Sequence, residues 1–490
     1  MQYLNHSMMI AFISYLTIVM LIGVVGFFLT RNLSDYVLGG RSLGGAVAAL
    51  SAGASDMSSW LLMGLPGLIY TLGLQEIWIS CGLTLGAYIC WRIMAKRLRI
   101  YSEIAGDSLT IPAFLDNRFK DDSKLLRVIA GFAILVFFVF YIASGLYAGG
   151  LLLSETFALS YIEGLAMATV IIMLYTAIGG FLAVSWTDFF QGSLMLVCLL
   201  LVPFFVCKQM GGITVSLAKI QMNKPEFLFW YQNITPLKLL SNFSWGLGYF
   251  GMPHILVRFM AVKSVAEIPL ARCTCMSWMA LSLVGAILVG GAGAAYFHNA
   301  PINNPEMVFM ALSAQVLPAW MVGIILAAIL SSSMCAIDSQ MLAASSAVTE
   351  DFYHSLFRKN ASQKELMWVG RLTIAAIGAV AVSIAFKPTN SIMGLVSFAW
   401  AGLGATFGAT MVCALFWERM TRNGAAAGMI TGALTVILWK FFHLDTYVYE
   451  LLPGTIFSLT AVIGVSVYDK APAKIIVDEF WQVNAVFETK

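Results

Sequence analysis

Residues 50–60 read Leu-Ser-Ala-Gly-Ala-Ser-Asp-Met-Ser-Ser-Trp (LSAGASDMSSW), one acid and four serines between the apolar runs LGGAVAA (43–49) and LLMGLPGLIY (61–70). The flanks are those of a segment that crosses a membrane, where an unsatisfied backbone N–H or C=O costs several kcal/mol. An acid at such depth costs about 2.5–3.5 kcal/mol on insertion scales and as a rule serves function. Serines alone could merely let helices pack closely. The segment also holds Gly53, Gly64, Pro66 and Gly67. One other apolar stretch is interrupted in the same way, SWGLGYFGMPHILVRF (244–259), with Gly246, Gly248, Gly251 and Pro253.

The rest of the chain sets these two stretches in a bilayer. Of 490 residues, 60% are hydrophobic and 11% charged, and the mean hydropathy of +0.85 is far above that of a soluble domain. Apolar windows long enough to span the hydrocarbon core as helix fall near 8–28, 45–70, 76–95, 125–155, 161–181, 183–207, 239–260, 272–297, 317–348, 368–387, 391–417, 424–441 and 448–468, thirteen in all. No basic residue precedes the first window and Arg31 follows it, which reverses the pattern of a cleavable signal peptide and places the N-terminus outside. The C-terminus is then cytoplasmic. On this map 22 of the 28 Lys and Arg lie inside, in 31–41, 92–127, 258–272, 358–371, 419–422 and 470–490, and six lie outside (Lys208, Lys219, Lys224, Lys238, Lys387, Lys440). The asymmetry supports the orientation.

If the first window and the last two are peripheral (1–44 and 418–490), ten spans remain, and the interrupted ones open each group of five: 45–207 and 239–417, joined by an outer loop at 208–238. Five is odd, so the halves must be inverted. Paired interrupted spans at corresponding positions of inverted halves point to the binding site of a secondary transporter, where unwound backbone offers free N–H and C=O groups near the bilayer centre.

Function classes are excluded by what is absent. The stretches outside the windows, at 96–124, 208–238, 350–367 and after 469, are too short for a core of their own, so neither an enzyme nor a sensor with an output domain is expected. The net charge of +3 follows topology and calls for no nucleic-acid partner. No obligate protein partner is evident, and the surroundings are lipid. The eight cysteines lie mostly in spans as small apolar residues, and Cys273 and Cys275 are too lone a pair for a metal site.

Several blocks carry a resemblance: SDYVLGGRSLG (34–44), ALSAGASDMSSWLLMGLPG (49–67), GGFLAVSWTD (179–188), WGLGYFGMPHILVRFMA (245–261), ASQKELMWVGR (361–371) and MTRNGAAAGMITGALTVI (420–437). Through nearly its whole length the chain resembles bacterial members of the sodium/solute symporter family. The resemblance implies an all-α protein of thirteen transmembrane helices with a 5+5 inverted-repeat core of the LeuT type, in the bacterial inner membrane, taking up L-proline with a cation and needing no other cofactor.

By position, the resemblance puts the substrate among Trp60, Tyr141, Trp245, Tyr249 and Pro253. Aromatic faces suit a compact apolar ring and can face its secondary ammonium; broken-helix N–H groups suit its carboxylate. It puts the cation at the carbonyls of Ala54, Met57 and Ser332, beside Asp56 and Ser58, with two hydroxyls expected at positions here held by Cys335 and Ala336. Sodium is a hard ion that prefers oxygen, so this departure leaves a proton as the alternative coupling ion, carried on Asp56, Asp188 or Asp338. Ser332 and Asp338 flank Cys335 three residues to either side, where either could compensate. Asp188 matches a second cation position, or else caps a helix beside Thr187. Arg41 is a gate residue or a plain cytoplasmic charge. Met252, where relatives commonly have Gln, bears on selectivity. A channel, and transporters of pantothenate, sugars or sialic acid, are the competing readings.

Overall fold

The computed structural model describes residues 5–29, 37–178, 180–232, 234–387 and 391–489. Arg31, Lys490, residues 34–36 of the first motif and Gly179 of the third lie outside them. Among the described residues the only strand-like pairing is a single bridge, Leu43 to Val262; the rest is helix and connection. Helix is what a bilayer demands, since it satisfies each backbone group within its own segment.

Among the described residues ten helices are long and apolar enough to cross a membrane. They include α1 (His6–Leu29), α4 (Ile77–Ile104), α6 (Leu125–Phe157), α8 (Phe181–Gln209), α12 (Ile268–Tyr296), α14 (Ala319–Ser346), α15 (Gln363–Ala385), α16 (Ile392–Phe416), α17 (Arg422–Phe441) and α18 (Leu451–Tyr468). The other three expected windows fall on α7 (Tyr161–Ile178) and on the two interrupted segments. At the centre stands α14, buried on nearly every side. Its neighbours are α1, α2 (Gly45–Ser59), α6 and α8, while α17 and α18 pack on each other and on α16 at the rim.

The first interruption lies inside the opening stretch. Helix α2 (Gly45–Ser59) is broken at Ser58, at φ +46° and ψ −168°, an extreme conformation for a residue with a side chain. One wide turn, Trp60–Gly64, leads into α3 (Leu65–Leu72). Groups released by the break find side-chain partners: Tyr141 donates to the Asp56 carbonyl at 3.0 Å, the Cys335 thiol to the Ala54 carbonyl at 3.1 Å, and the Trp60 N–H to Ser58 Oγ at 3.3 Å. In the second, α10 (Pro236–Phe243) gives way to a tight 3-10 run, Ser244–Phe250, before α11 (Pro253–Ala261) begins. Pro253 suits that start, having no N–H to leave unsatisfied. Here α4 comes close enough that a Cβ on Gly246 would stand 2.1 Å from the Gly82 carbonyl oxygen.

The stretches outside the windows are more structured than their composition predicts. The basic loop contains α5 (Ile111–Phe119), the outer loop α9 (Ile213–Asn223), the turn after α14 continues as wide helix to Phe357, and the tail forms α19 (Lys474–Thr489). Arg97, Arg99, Arg118, Arg127 and Arg258, all counted as loop charges, are buried. They are held inside by carbonyls, acids and rings: Arg97 Nε donates to the Leu415 carbonyl, Arg127 pairs with Asp116 at 2.9 Å, and Arg118 lies 5.6 Å from the Phe480 ring of α19.

Candidate functional site

The two breaks face each other across the middle of the bundle. Trp60, from the turn after α2, stacks on Trp245 of the 3-10 run with centroids 6.1 Å apart and planes at 22°. Trp245 stacks in turn on Tyr449, at 4.6 Å and 15°. Trp60 and Trp245, with Tyr141, Tyr249, Met57 and Asp56, line a narrow cavity. Four of the five expected substrate residues therefore meet. Pro253 does not join them: it lies on a separate narrow cavity with His254, Arg258 and Ser339.

Two residues of this site had no signal in the sequence reading. Trp400 of α16 lines the cavity, meets Tyr249 edge-on at 5.2 Å and donates its Nε1 hydrogen to the Trp245 carbonyl at 2.9 Å. Tyr449 comes from the turn before α18, outside the ten spans taken as the core. Both are aromatic residues among many in apolar windows, and nothing local distinguishes them.

Asp56 sits at the floor of the cavity. The Tyr249 hydroxyl donates to its carboxylate, and the Tyr141 hydroxyl donates to its main-chain carbonyl. One acid thus orients both tyrosines toward the same space, leaving an anionic centre beside aromatic faces, an arrangement suited to a small ligand with a cationic nitrogen.

Below it, Cys335 Sγ stands 3.1 Å from the Ala54 carbonyl oxygen and 3.5 Å from that of Ser332. Two of the three carbonyls expected at the cation position thus converge on one point, and the thiol occupies it. The third, of Met57, accepts the Trp60 N–H at the break. Ala336 is buried and brings no polar atom. Ser332 turns its hydroxyl back onto the Ile329 carbonyl at 2.6 Å, while Asp338 takes the Thr176 hydroxyl of α7 on one oxygen and no partner on the other. Neither side chain stands in for the missing hydroxyls. Among the described residues no group of three or more His, Cys, Asp or Glu could hold a metal ion.

Asp188 does not cap a helix. It lies well inside α8, fully buried, with Oδ2 taking Ser51 Oγ of α2 at 2.6 Å and Arg258 Nη2 of α11 at 3.0 Å. Arg258 is the functional candidate that charge counting hid. Arg41 proves to be more than a loop charge: its guanidinium bonds Asp107 at 2.9 Å, Ser102 Oγ at 3.1 Å, and the carbonyls of Met260 at 2.7 Å and Ser108 at 3.0 Å. It ties the ends of α4 and α11 beside the Leu43 to Val262 bridge. Met252 is buried ahead of α11 and is not among the residues around the aromatic cavity.

Against known proteins, the profile of the sodium:solute symporter family matches residues 36–432. The chain is 49% identical over 463 residues to the high-affinity proline transporter PutP of Bacillus subtilis, covering 94% of this chain and 98% of that protein. It is 46% identical over 492 residues to the sodium/proline symporter of Escherichia coli, with 99% and 98% covered. Among solved structures, a Na+-coupled sialic acid symporter in a substrate-bound outward-open state superposes with a TM-score of 0.82 at 18% identity, over 96% of this chain and 99% of that one. A closed nucleobase-cation-symport-1 transporter follows at 0.58 and 13%, over 92% and 99%. At such identities the likeness shows the fold alone, the all-helical LeuT-type arrangement expected from the sequence.

Proposed function

From the chain's membership of the sodium:solute symporter family, we propose that it is a secondary active symporter that takes up L-proline with a cation across a bacterial plasma membrane. The observation that carries this reading is the aromatic cavity over Asp56, built where the two interrupted segments meet. Its aromatic lining suits a compact apolar ring. Trp60 and Trp245 enclose the ring, Asp56 balances the secondary ammonium, and N–H groups freed at the breaks take the carboxylate. The names of the full-length relatives point to the same substrate.

Alternating access follows from the same construction. The halves of each interrupted segment can tilt separately because the backbone leaves helical geometry at Ser58 and at the Gly251–Met252 turn. The Arg41 contacts close the end of the bundle that the charge map places in the cytoplasm, with the N-terminus outside.

For the coupling ion we infer sodium, held by the carbonyls of Ala54, Met57 and Ser332. The convergence of two of these on one point supports it, as do relatives named sodium/proline symporters. The proton is the second reading, favoured by the thiol and methyl at 335 and 336 and by buried acids at 56, 188 and 338. The test is uptake of labelled proline into proteoliposomes with sodium and proton gradients imposed separately. Accumulation under either gradient supports the symporter; saturable counterflow of proline excludes a channel. Absence of both would overturn the reading.

A further inference from the structure

Arg258 is attached to Asp188 through a set of oxygens, and these define what else could sit there. Its Nη2 reaches Asp188 Oδ2 at 3.0 Å and Ser339 Oγ at 2.5 Å, and its Nε reaches Ser51 Oγ at 2.8 Å. Ser51 also donates to Asp188 at 2.6 Å. One carboxylate and two hydroxyls, from α8, α2 and α14, thus converge on the guanidinium. They are hard oxygen donors, the kind a small monovalent cation requires. All four residues are buried.

We propose that the Arg258 guanidinium and a second sodium ion, apart from the one at the Ala54 and Ser332 carbonyls, are alternative occupants of the Asp188 site, so that Arg258 is a tethered cation the incoming ion displaces. The proposal rests on the reading of Asp188 as a cation position. The guanidinium takes Asp188 Oδ2 and both hydroxyls, so an ion bound through those same three oxygens requires its departure. Arg258 also borders a narrow cavity beside His254 and Ser346, which has to widen to take the displaced side chain. His254, only 1% exposed, has neither ring nitrogen partnered, so a neutral imidazole there offers a free acceptor. With Arg258 on Asp188, α11 is clamped to α8, α2 and α14; with the ion on Asp188, that clamp opens. Ion occupancy is thereby linked to the freedom of α11, the helix that follows the second interruption.

The test uses purified full-length protein in lipid nanodiscs, reading thermal stability against sodium concentration without proline, at constant ionic strength and pH. Arg258→Gln removes the competitor. The half-saturating sodium concentration should fall about tenfold from wild type, while the melting temperature without sodium falls as well. Arg258→Lys keeps the charge but shortens the reach to Ser51 and Ser339, and should shift the half-saturation the same way by less. If Arg258→Gln fails to fold, Arg258→Lys decides. A half-saturation unchanged or raised in the decisive variant overturns the proposal, because an arginine that merely orients Asp188 would on removal weaken the ion. Asp188→Asn separates the two levels. Diminished sodium stabilisation in Asp188→Asn with no shift in the Arg258 variants overturns the exchange and leaves Asp188 a cation position. Undiminished stabilisation in Asp188→Asn, or a wild-type protein indifferent to sodium, overturns both.

Discussion

Trp245 is held between two rings, Trp60 and Tyr449, with its carbonyl taken by Trp400, so its face is fixed before any ligand arrives. Such preorganisation favours binding because little side-chain freedom is left to lose. Trp245→Ala should raise the dissociation constant for proline about 30- to 100-fold, from lost stacking and cation–π contact worth about 2–3 kcal/mol. Tyr449→Leu should cost less, since Tyr449 touches Trp245 and is not among the residues lining the cavity; equilibrium binding of tritiated proline checks both. Asp56→Asn separates charge from shape, because the amide oxygen can still accept the Tyr249 hydrogen bond. It should abolish concentrative uptake at an unchanged level of protein in the membrane; normal accumulation would make the acid structural. At this scale the sequence was most legible where chemistry is unusual for its depth. Asp56 stood out as an acid among apolar residues, and Cys335 as a thiol where oxygen was expected. Arg258 did not, because a basic residue near the end of an apolar window is usually a topological charge, and only the fold brings Asp188 to it.

At the scale of elements, the two interruptions were readable because glycine, proline and serine weaken a helix by local means that need no knowledge of neighbours. The helices in the connecting stretches were not. Helices α5, α9 and α19 are short or polar, and packing stabilises them more than propensity does: Phe480 of α19, for instance, lies between Arg97 and Arg118. Close approach is likewise a property of pairs. Gly82 and Gly86 of α4 face Gly246, so that a Cβ on Gly86 would stand 2.2 Å from the Gly246 carbonyl oxygen and one on Gly246 2.1 Å from the Gly82 carbonyl oxygen. Backbone meets backbone there, leaving no flexible side chain to yield. Gly246→Ala should therefore push the 3-10 run off α4, lowering stability by about 1–3 kcal/mol and misplacing Trp245 and Tyr249 together. A thermal melt of the purified variant alongside proline binding tests this; a wild-type melt with wild-type affinity would mean that the segments are not packed as described.

For the whole molecule the open quantity is which gradient drives the cycle, and the cation position argues both ways. Its main-chain oxygens at Ala54, Met57 and Ser332 do not depend on side chains, and two of them already point at one place. That place is held by a thiol, which donates to carbonyls and is a poor ligand for a hard cation, while Ala336 contributes no oxygen. Sodium binding here must displace the thiol hydrogen bonds and make do with fewer ligands, so its affinity should be lower than with two hydroxyls present. Wild-type proteoliposomes should accumulate proline on an inward sodium gradient at symmetric pH with a protonophore present. The double substitution Cys335→Ser, Ala336→Thr should lower the sodium concentration for half-maximal uptake by about tenfold, equivalent to about 1.4 kcal/mol of added coordination. Both measurements use the same vesicles and differ only in the gradient and the variant. If uptake instead follows an inward proton gradient without sodium and collapses with the protonophore while the sodium gradient persists, the proton reading holds. In that case Asp338→Asn or Asp56→Asn should abolish the proton-driven component, and the double substitution should create a sodium response where the wild-type protein has none.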